Sequence, residues 1–376
     1  MTLVALVFWI SLGLLVYTHL GYPLLLWAIA RLRGGGEPPQ VSPEPLPDVS
    51  LIVAAHDEEA SILRWVGSTL PFEYPRERLE VVVVSDGSTD RTVEWAVKAG
   101  ADVVFEVPRG GKVAALNAAV ERARGEVLAF ADANSIWQPD ALRRLVARLA
   151  DPRTGYVCGQ LRLEGEDGEN QEGLYWRYEM AVRALESRLA GVTAGNGAIN
   201  AVRRDAYVVL APDRGQDISL PFEVTKRGWR AVFEPRAVAT EQMAGTLGAE
   251  FARKRRMLTG AWATILRHGM LSPRGYPPAY AFEIYSHRGL RYVSPILHLI
   301  VLATNLALLG EGPVYAVTLA VQLAVLGAAA LAPLIPLRPL QVARYYVAVT
   351  AAGAVALWDY LRRGVPRTWE KAEGTR

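Results

Sequence analysis

Val-Val-Val-Val-Ser-Asp-Gly-Ser-Thr-Asp occupies residues 81–90. Four valines in succession, with no alternation, read as a strand buried on both faces, as in the centre of a parallel sheet. With Leu79 and Glu80 the strand spans 79–85. Asp86 follows it, and Gly87 to Asp90 read as a turn into a helix over 91–99. Outward from there the pattern repeats. Val49–Ala55, Val103–Val107 and Val127–Ala131 are further short apolar runs. Residues 58–70, 112–122 and 139–150 have helical spacing, the last with Pro139 in its first turn. Strand and helix alternate, which predicts an open, Rossmann-like and mostly parallel α/β sheet. No Gly-x-Gly-x-x-Gly follows the Val49 strand, so a dinucleotide-binding version is not expected.

Polar residues gather at the strand ends. Asp57 and Glu58 follow the first strand, Asp86 the second, and Asp132 and Asn134 the Val127 strand. Such sheets bind ligands at the carboxyl ends of their strands. Carboxylates crowded on one edge repel one another, and a divalent cation with a hydroxyl-rich ligand relieves that cost.

The flanks belong to a membrane. Residues 1–30 contain no Asp, Glu, Lys or Arg, enough for a spanning helix. The segment has no basic start and no clear small-residue cleavage site, so it reads as an anchor over 1–32 and not as a signal peptide. Arg31 and Arg33 place its end in the cytoplasm. A Gly/Pro-rich linker (33–47) leads to a soluble domain (48–270) and an interfacial segment (271–291). A membrane-associated region (292–361) and a basic tail (362–376) complete the layout. Tyr292–Gly310 and Gly312–Leu337 are charge-free and form the expected hairpin around Glu311. Tyr345–Trp358 has only 14 charge-free residues, a length that suits an interfacial helix. Three crossings then leave the tail, with Arg362, Arg363, Arg367 and Lys371, in the cytoplasm.

Composition excludes other classes. A net charge of +3 gives no basic face for nucleic acid. Cys158 is the only cysteine, so neither an intrachain disulfide nor a cysteine-rich metal site is possible. Cys158 and His56 read as structural.

The soluble part resembles the family 2 glycosyltransferases of the GT-A fold, from about Pro47 through Arg291. Eight segments carry the resemblance in order: VSLIVAAHDEE (49–59), VVVVSDGSTD (81–90), GGKVAALNAA (110–119), FADANS (130–135), GNGAINAVRRDAY (195–207), GQDISL (215–220), GWRAVFEPRAVATE (228–241) and RKRRM (253–257). It implies an inverting, membrane-bound transferase that uses a nucleotide sugar, with UDP as the expected carrier. A lipid-linked or growing glycan is the implied acceptor. A processive exopolysaccharide synthase, completed by a second copy or a secretion partner, is the alternative, and a non-catalytic membrane scaffold a more distant one.

Roles follow residue by residue. Asp57 or Glu58 would face the nucleoside, unless either is only a helix-start acid. Asp86 would bind the base, or cap the helix near Arg91. Lys112, in a Gly-Gly-Lys turn before a helix, suits a diphosphate. Asp132-Ala133-Asn134 matches the Asp-x-Asp that holds the sugar nucleotide and its metal. Oxygen donors imply Mg²⁺ or Mn²⁺. Asn134 stands where an aspartate is common, so it coordinates without charge. Asp217 matches the general base, or caps a helix toward Arg227; Gln216 before it replaces a common acid. Arg256 matches the arginine that binds the departing diphosphate, within a cluster of Arg253, Lys254 and Arg255 that would also suit anionic lipid. Met257 replaces the tryptophan that stacks on the acceptor in processive members. Gly195-Asn196-Gly197 would line the acceptor side.

Overall fold

The computed structural model describes residues 2–34, 43–164, 171–242, 247–335 and 337–365. Most of the predicted linker, and Arg367 and Lys371 of the tail, lie outside them. One continuous N-terminal helix comprises α1 (Leu3–Val16), a widened π turn at Tyr17–Gly21, and α2 (Tyr22–Arg33). Then come β1 (Val49–Ala55), α3 (Glu59–Gly67), β2 (Leu79–Asp86), α4 (Thr92–Lys98), β3 (Val103–Val107), α5 (Lys112–Arg122), β4 (Val127–Ala131) and the short β5 (Ile136–Trp137). The second half holds α6 (Ala141–Leu149), β6 (Thr154–Glu164), α7 (Gln171–Leu189), β7 (Ile199–Arg203), α8 (Gln216–Lys226), β8 (Arg230–Gln242) and α9 (Leu247–Leu266). The chain ends with α10 (Pro278–Glu283), a second π turn at Ile284–Gly289, α11 (Leu290–Ala307), α12 (Pro313–Leu331) and α13 (Arg338–Arg363).

The strands form one sheet in the order β3-β2-β1-β4-β7-β6-β8-β5. Its first half is parallel, with β1 between β2 and β4. β7 then runs antiparallel to both β4 and β6, while β6 and β8 are parallel. All eight residues of β2 and all seven of β1 are buried, so the unbroken valine run is a central strand. Its two faces feed two cores. Leu51, Val53, Val81 and Val83 pack with Trp65 of α3 and Leu145 of α6. Ile52, Val82 and Val84 pack with Leu116 of α5 and Phe130. Because β2 and β4 pair on opposite sides of β1, the chain switches direction there and opens a crevice at the carboxyl edge. The parallel run of β6 and β8 brings the end of β8 to the same edge.

Some boundaries differ from the sequence reading. The helix expected over 139–150 starts at Ala141, because the Pro139 carbonyl accepts the Glu73 N–H (2.8 Å). The helix expected over 58–70 stops at Gly67. The segment 271–291 is not separate: α10 and the π turn run straight into α11, giving a 30-residue helix from Pro278 to Ala307. The next helix ends at Leu331, before Pro333, and not at Leu337. The fourth apolar stretch is longer than its charge-free core, since the helix continues past Arg344 and Asp359 to a length of 26 residues. Among the described residues four helices are thus long and apolar enough to cross a membrane.

The α/β domain and the long apolar helices share buried polar contacts. The Tyr22 hydroxyl donates to Glu186 Oε1 (2.7 Å), which also meets His287 Nδ1 at 2.7 Å. Thr193 donates to the other Glu186 oxygen (3.0 Å), and Arg288 Nε donates to Thr193 (2.9 Å). Burial alone would raise the Glu186 carboxyl, but His287 beside it outweighs that and holds it below the usual range. Removing one member of such a buried cluster strands the rest. Glu186→Ala is expected to destabilise the protein by about 3–5 kcal/mol, read as the unfolding midpoint in detergent. An unchanged midpoint would show that the cluster contributes nothing.

Candidate active site

Asp86 is fully buried at the end of β2. Its carboxylate accepts the N–H of Gly110 (2.7 Å) and of Gly111 (3.0 and 3.2 Å). It therefore fixes the Gly-Gly-Lys turn. Gly111 has φ 92°, a conformation that side chains rarely adopt. The predicted cap of α4 falls to Asp90 instead, whose Oδ1 accepts the Thr92 N–H (2.9 Å). Neither Asp86 nor Asp57 lines the crevice. Asp57, at φ 51°, accepts the Thr89 N–H (2.7 Å) and acts within the turn. His56 Nδ1 lies 2.9 Å from the Asp86 carbonyl, which makes it structural as expected.

The other predicted residues converge. Glu58, Lys112, Asp132, Asn134, Gly195, Asn196, Gly197, Asp217, Arg256 and Met257 all line one cleft of about 1270 Å³. Gly197 marks its chemical centre. A Cβ built there would lie 3.6 Å from Lys112 Nζ, 3.8 Å from Asp132 Oδ2 and 4.0 Å from Asp217 Cβ. Lys112 and Asp132 are ion-paired. Burial works to lower the Lys112 ammonium, but Asp132 outweighs it and holds it above its ordinary value.

Asp217 is the second residue of α8, and Gly215 takes the cap position that the alternative reading gave to Asp217. A carboxylate in a first helical turn is favoured by the helix dipole. Its carbonyl accepts the Gly195 N–H (2.7 Å), which ties the glycine loop to it. On α9 the basic cluster divides. Arg253, Lys254 and Arg256 face the cleft, whereas Arg255 pairs with Asp359 of α13 (2.8 Å at its second contact). Burial and the neighbouring Arg253 lower the Arg256 guanidinium from its ordinary value.

Sequence reasoning missed Glu241, at the end of β8. Its Oε1 accepts from Asn134 Nδ2 at 2.5 Å, and it lines the cleft. Burial first, and the charge of Asp132 second, push its carboxyl up to about 7. It is the last residue of Ala-Thr-Glu in a segment already noted, but only the pairing of β8 across the sheet brings it to Asn134. Among the described residues no three His, Cys, Asp or Glu side chains converge as a metal site. Two carboxylates and one amide do meet here. An all-oxygen set of this kind fits a hard divalent cation and not zinc. Glu241→Ala is expected to weaken Mn²⁺ binding about 10- to 100-fold, measured by calorimetry. An affinity within twofold of the parent would remove Glu241 from the site.

Comparison with known proteins agrees with this geometry. The model of glycosyl transferase family 2 matches residues 50–208. Poly-beta-1,6-N-acetyl-D-glucosamine synthase of Staphylococcus aureus (strain COL) is 24% identical over 61% of this chain and 58% of its own length. An N-acetylglucosaminyltransferase of Mesorhizobium japonicum is 28% identical over 57% of this chain and 55% of its own. The chain thus spans little more than half the length of these curated relatives. A mannosyltransferase from Pyrobaculum calidifontis, solved in complex with GDP-Man and Mn²⁺, superposes with a TM-score of 0.71 and 27% identity, covering 95% of this chain and 99% of that one. Residues 50–208 thus match a family 2 domain, and the sheet together with the mannosyltransferase superposition gives the chain a GT-A-like fold.

Proposed function

We propose that the chain moves a sugar, with inversion, from a nucleoside-diphosphate sugar to a lipid-linked or growing glycan acceptor at the cytoplasmic face of a bacterial-type inner membrane. The meeting of Lys112, Asp132 and Asp217 around Gly197 supports this, in a cleft that continues between Thr18 and His19 of the first helix and Tyr346 of α13. Asp217 takes the proton from the acceptor hydroxyl as that oxygen attacks the anomeric carbon. The bond to the diphosphate breaks on the opposite face, and the leaving charge is met by Lys112 and Arg256. Asp132, Asn134 and Glu241 would hold Mg²⁺ or Mn²⁺, which when bound would supply further positive charge for the leaving group. Fixing donor and acceptor together provides much of the acceleration.

UDP is the carrier favoured by the sequence; the Pyrobaculum relative was solved with GDP-Man. Three crossings are part of the reading. Asp359 pairs with Arg255, and the Gly353 carbonyl accepts from Trp262 Nε1 (3.1 Å), which supports α13 lying along α9 and not crossing. A processive synthase is the second reading, favoured by the Staphylococcus relative's name and opposed by Met257. Product length separates the two.

The test is nucleotide release by the detergent-purified chain, with UDP-, GDP- and TDP-sugars, Mg²⁺ or Mn²⁺, and membrane lipid extract. One sugar nucleotide consumed only with metal, and at least about 100-fold less by Asp132→Ala, is the expected result. Silence across the panel, with no Mn²⁺-dependent donor binding by calorimetry, would leave the scaffold reading.

A further inference from the structure

Gln216 opens α8 immediately before Asp217 and lines the same cleft. It is 6% exposed. Neither its Oε1 nor its Nε2 has a hydrogen-bond partner among the described residues. A primary amide carries donors on its nitrogen and an acceptor on its oxygen, and burying both kinds unmet is costly. Such a group in a native fold calls for a ligand or a structural reason. α9 packs close to this turn. A Cβ built on Gly260 would lie 4.0 Å from the Gly215 nitrogen, so α9 approaches the start of α8 where it carries no side chain. Met257, one turn earlier on α9, lines the cleft with an exposed apolar side chain.

The amide selects its ligand by charge and by the sense of its hydrogen bonds. An anion would meet the amide N–H groups but also Oε1 and the neighbouring Asp217 carboxylate. A cation would meet Oε1 and leave Nε2 unmet. Hydroxyls both donate and accept. Two on neighbouring carbons of a sugar ring can serve the amide together, one donating to Oε1 and the other accepting from Nε2. The acceptor sugar is the nearer source of them. Gln216 adjoins the carboxylate that takes the acceptor's proton, and Met257 offers an apolar surface to the C–H face of a ring. An acid at 216 would set a second negative charge beside the base and hold the base's proton more tightly. The amide supplies the hydrogen bonds without that charge.

We propose that Gln216 positions the acceptor sugar, its amide holding a pair of neighbouring ring hydroxyls while another oxygen of the acceptor is presented to Asp217. The role rests on the glycosyl-transfer reading of the cleft and names what the cleft recognises in its acceptor, an uncharged ring with a free vicinal diol. Gln216 touches no reacting atom; it acts through where it places the ring. A site built to hydrogen-bond hydroxyls discriminates strongly against a ligand that lacks them.

The test uses the purified full chain in detergent and begins without a donor. Gln216→Met replaces the amide by an apolar chain of similar shape. It is expected to unfold at or above the parent's midpoint, because it removes a buried group that the fold leaves unpaired. A lower midpoint would make the amide structural and overturns the proposal. Methyl glucoside, methyl galactoside and methyl mannoside are then offered, with binding read by saturation-transfer NMR. The parent is expected to bind at least one, Gln216→Met at least about tenfold more weakly, and Gln216→Glu in between, since a carboxylate still accepts. No binding by the parent, or equal binding by parent and Gln216→Met, overturns the proposal. Glycoside binding without nucleotide release would leave the sugar subsite standing and remove the transfer reading. Where release is found, the loss in Gln216→Met is expected in the amount of lipid extract needed for half-maximal rate, with Mn²⁺-dependent donor affinity within about twofold. A requirement for extract that does not move overturns the proposal and leaves the transfer reading intact. A fall in donor affinity of about tenfold would assign the hydroxyls to the donor sugar and overturns the acceptor role.

Discussion

Asp217→Asn is expected to bind donor as the parent does and to turn it over about 100- to 10,000-fold more slowly, the range by which a positioned general base accelerates proton transfer. The amide keeps the size and shape of the carboxylate but cannot accept the acceptor's proton. Its place favours a clean result. The residue lies in the first turn of α8, the Gly195 N–H is held by its carbonyl and not its side chain, and the substitution leaves that bond intact. Donor affinity, which the proposal assigns to Lys112, Asp132 and Arg256, should stay within about twofold, so the loss falls on kcat and not on KM. Single-turnover rates with the identified donor provide the measurement. A variant that keeps more than about a third of parental turnover would show that another group takes the proton.

Gly195→Ala is expected to abolish transfer through the shape of the loop. A Cβ at that position would lie 1.8 Å from the Tyr156 hydroxyl oxygen and 2.8 Å from the ring carbon that bears it. Tyr156 is completely buried in the core on one face of the sheet, packed among its neighbours there, and has little room to yield. The loop must move, and with it Asn196, Gly197 and the bond to Asp217. Overpacking of this kind costs about 1–3 kcal/mol. The larger effect is catalytic, since a displacement of about 1 Å costs on the order of 100-fold in rate. Pairing the substitution with Tyr156→Phe, which removes the closest atom, is expected to restore part of the rate. A single variant with parental activity would show that the loop tolerates displacement.

The contrast between these residues explains what the sequence could and could not reveal. The parallel half of the sheet was legible because β1, β2 and β4 are buried on both faces and β1, β2 and β3 are each followed by a helix: β1, β3, β4 and α5 begin and end where the apolar runs do. The mixed half was not. β6 and β8 pair with each other across more than seventy residues, and their inner and outer positions follow neighbours that no local pattern reveals. Candidate residues at the parallel strands' ends could therefore be named by position, and Asp132 and Asn134 among them line the cleft. Glu241 was missed because its partner Asn134 is 107 residues away. Asp86 was found but faces inward, a difference of side-chain direction that spacing does not encode.

The π turn at Tyr17–Gly21 separates two faces of one helix. Before it, Ala5, Phe8 and Leu15 pack on Leu297 and Val301 of α11; after it, Tyr22 and Leu26 pack on Val182 of α7. The second π turn meets it directly, Tyr17 Oη lying 2.9 Å from Ser286 Oγ. A helix advances about 100° and 1.5 Å per residue. Winding the same five residues at ordinary pitch would thus swing Tyr22 by about a quarter-turn away from Glu186, aiming the domain-facing stripe elsewhere. The irregular turn acts as a phase setting: the angle at which the α/β domain meets the N-terminal helix is written in the pitch of five residues, and not in the composition that makes that helix apolar.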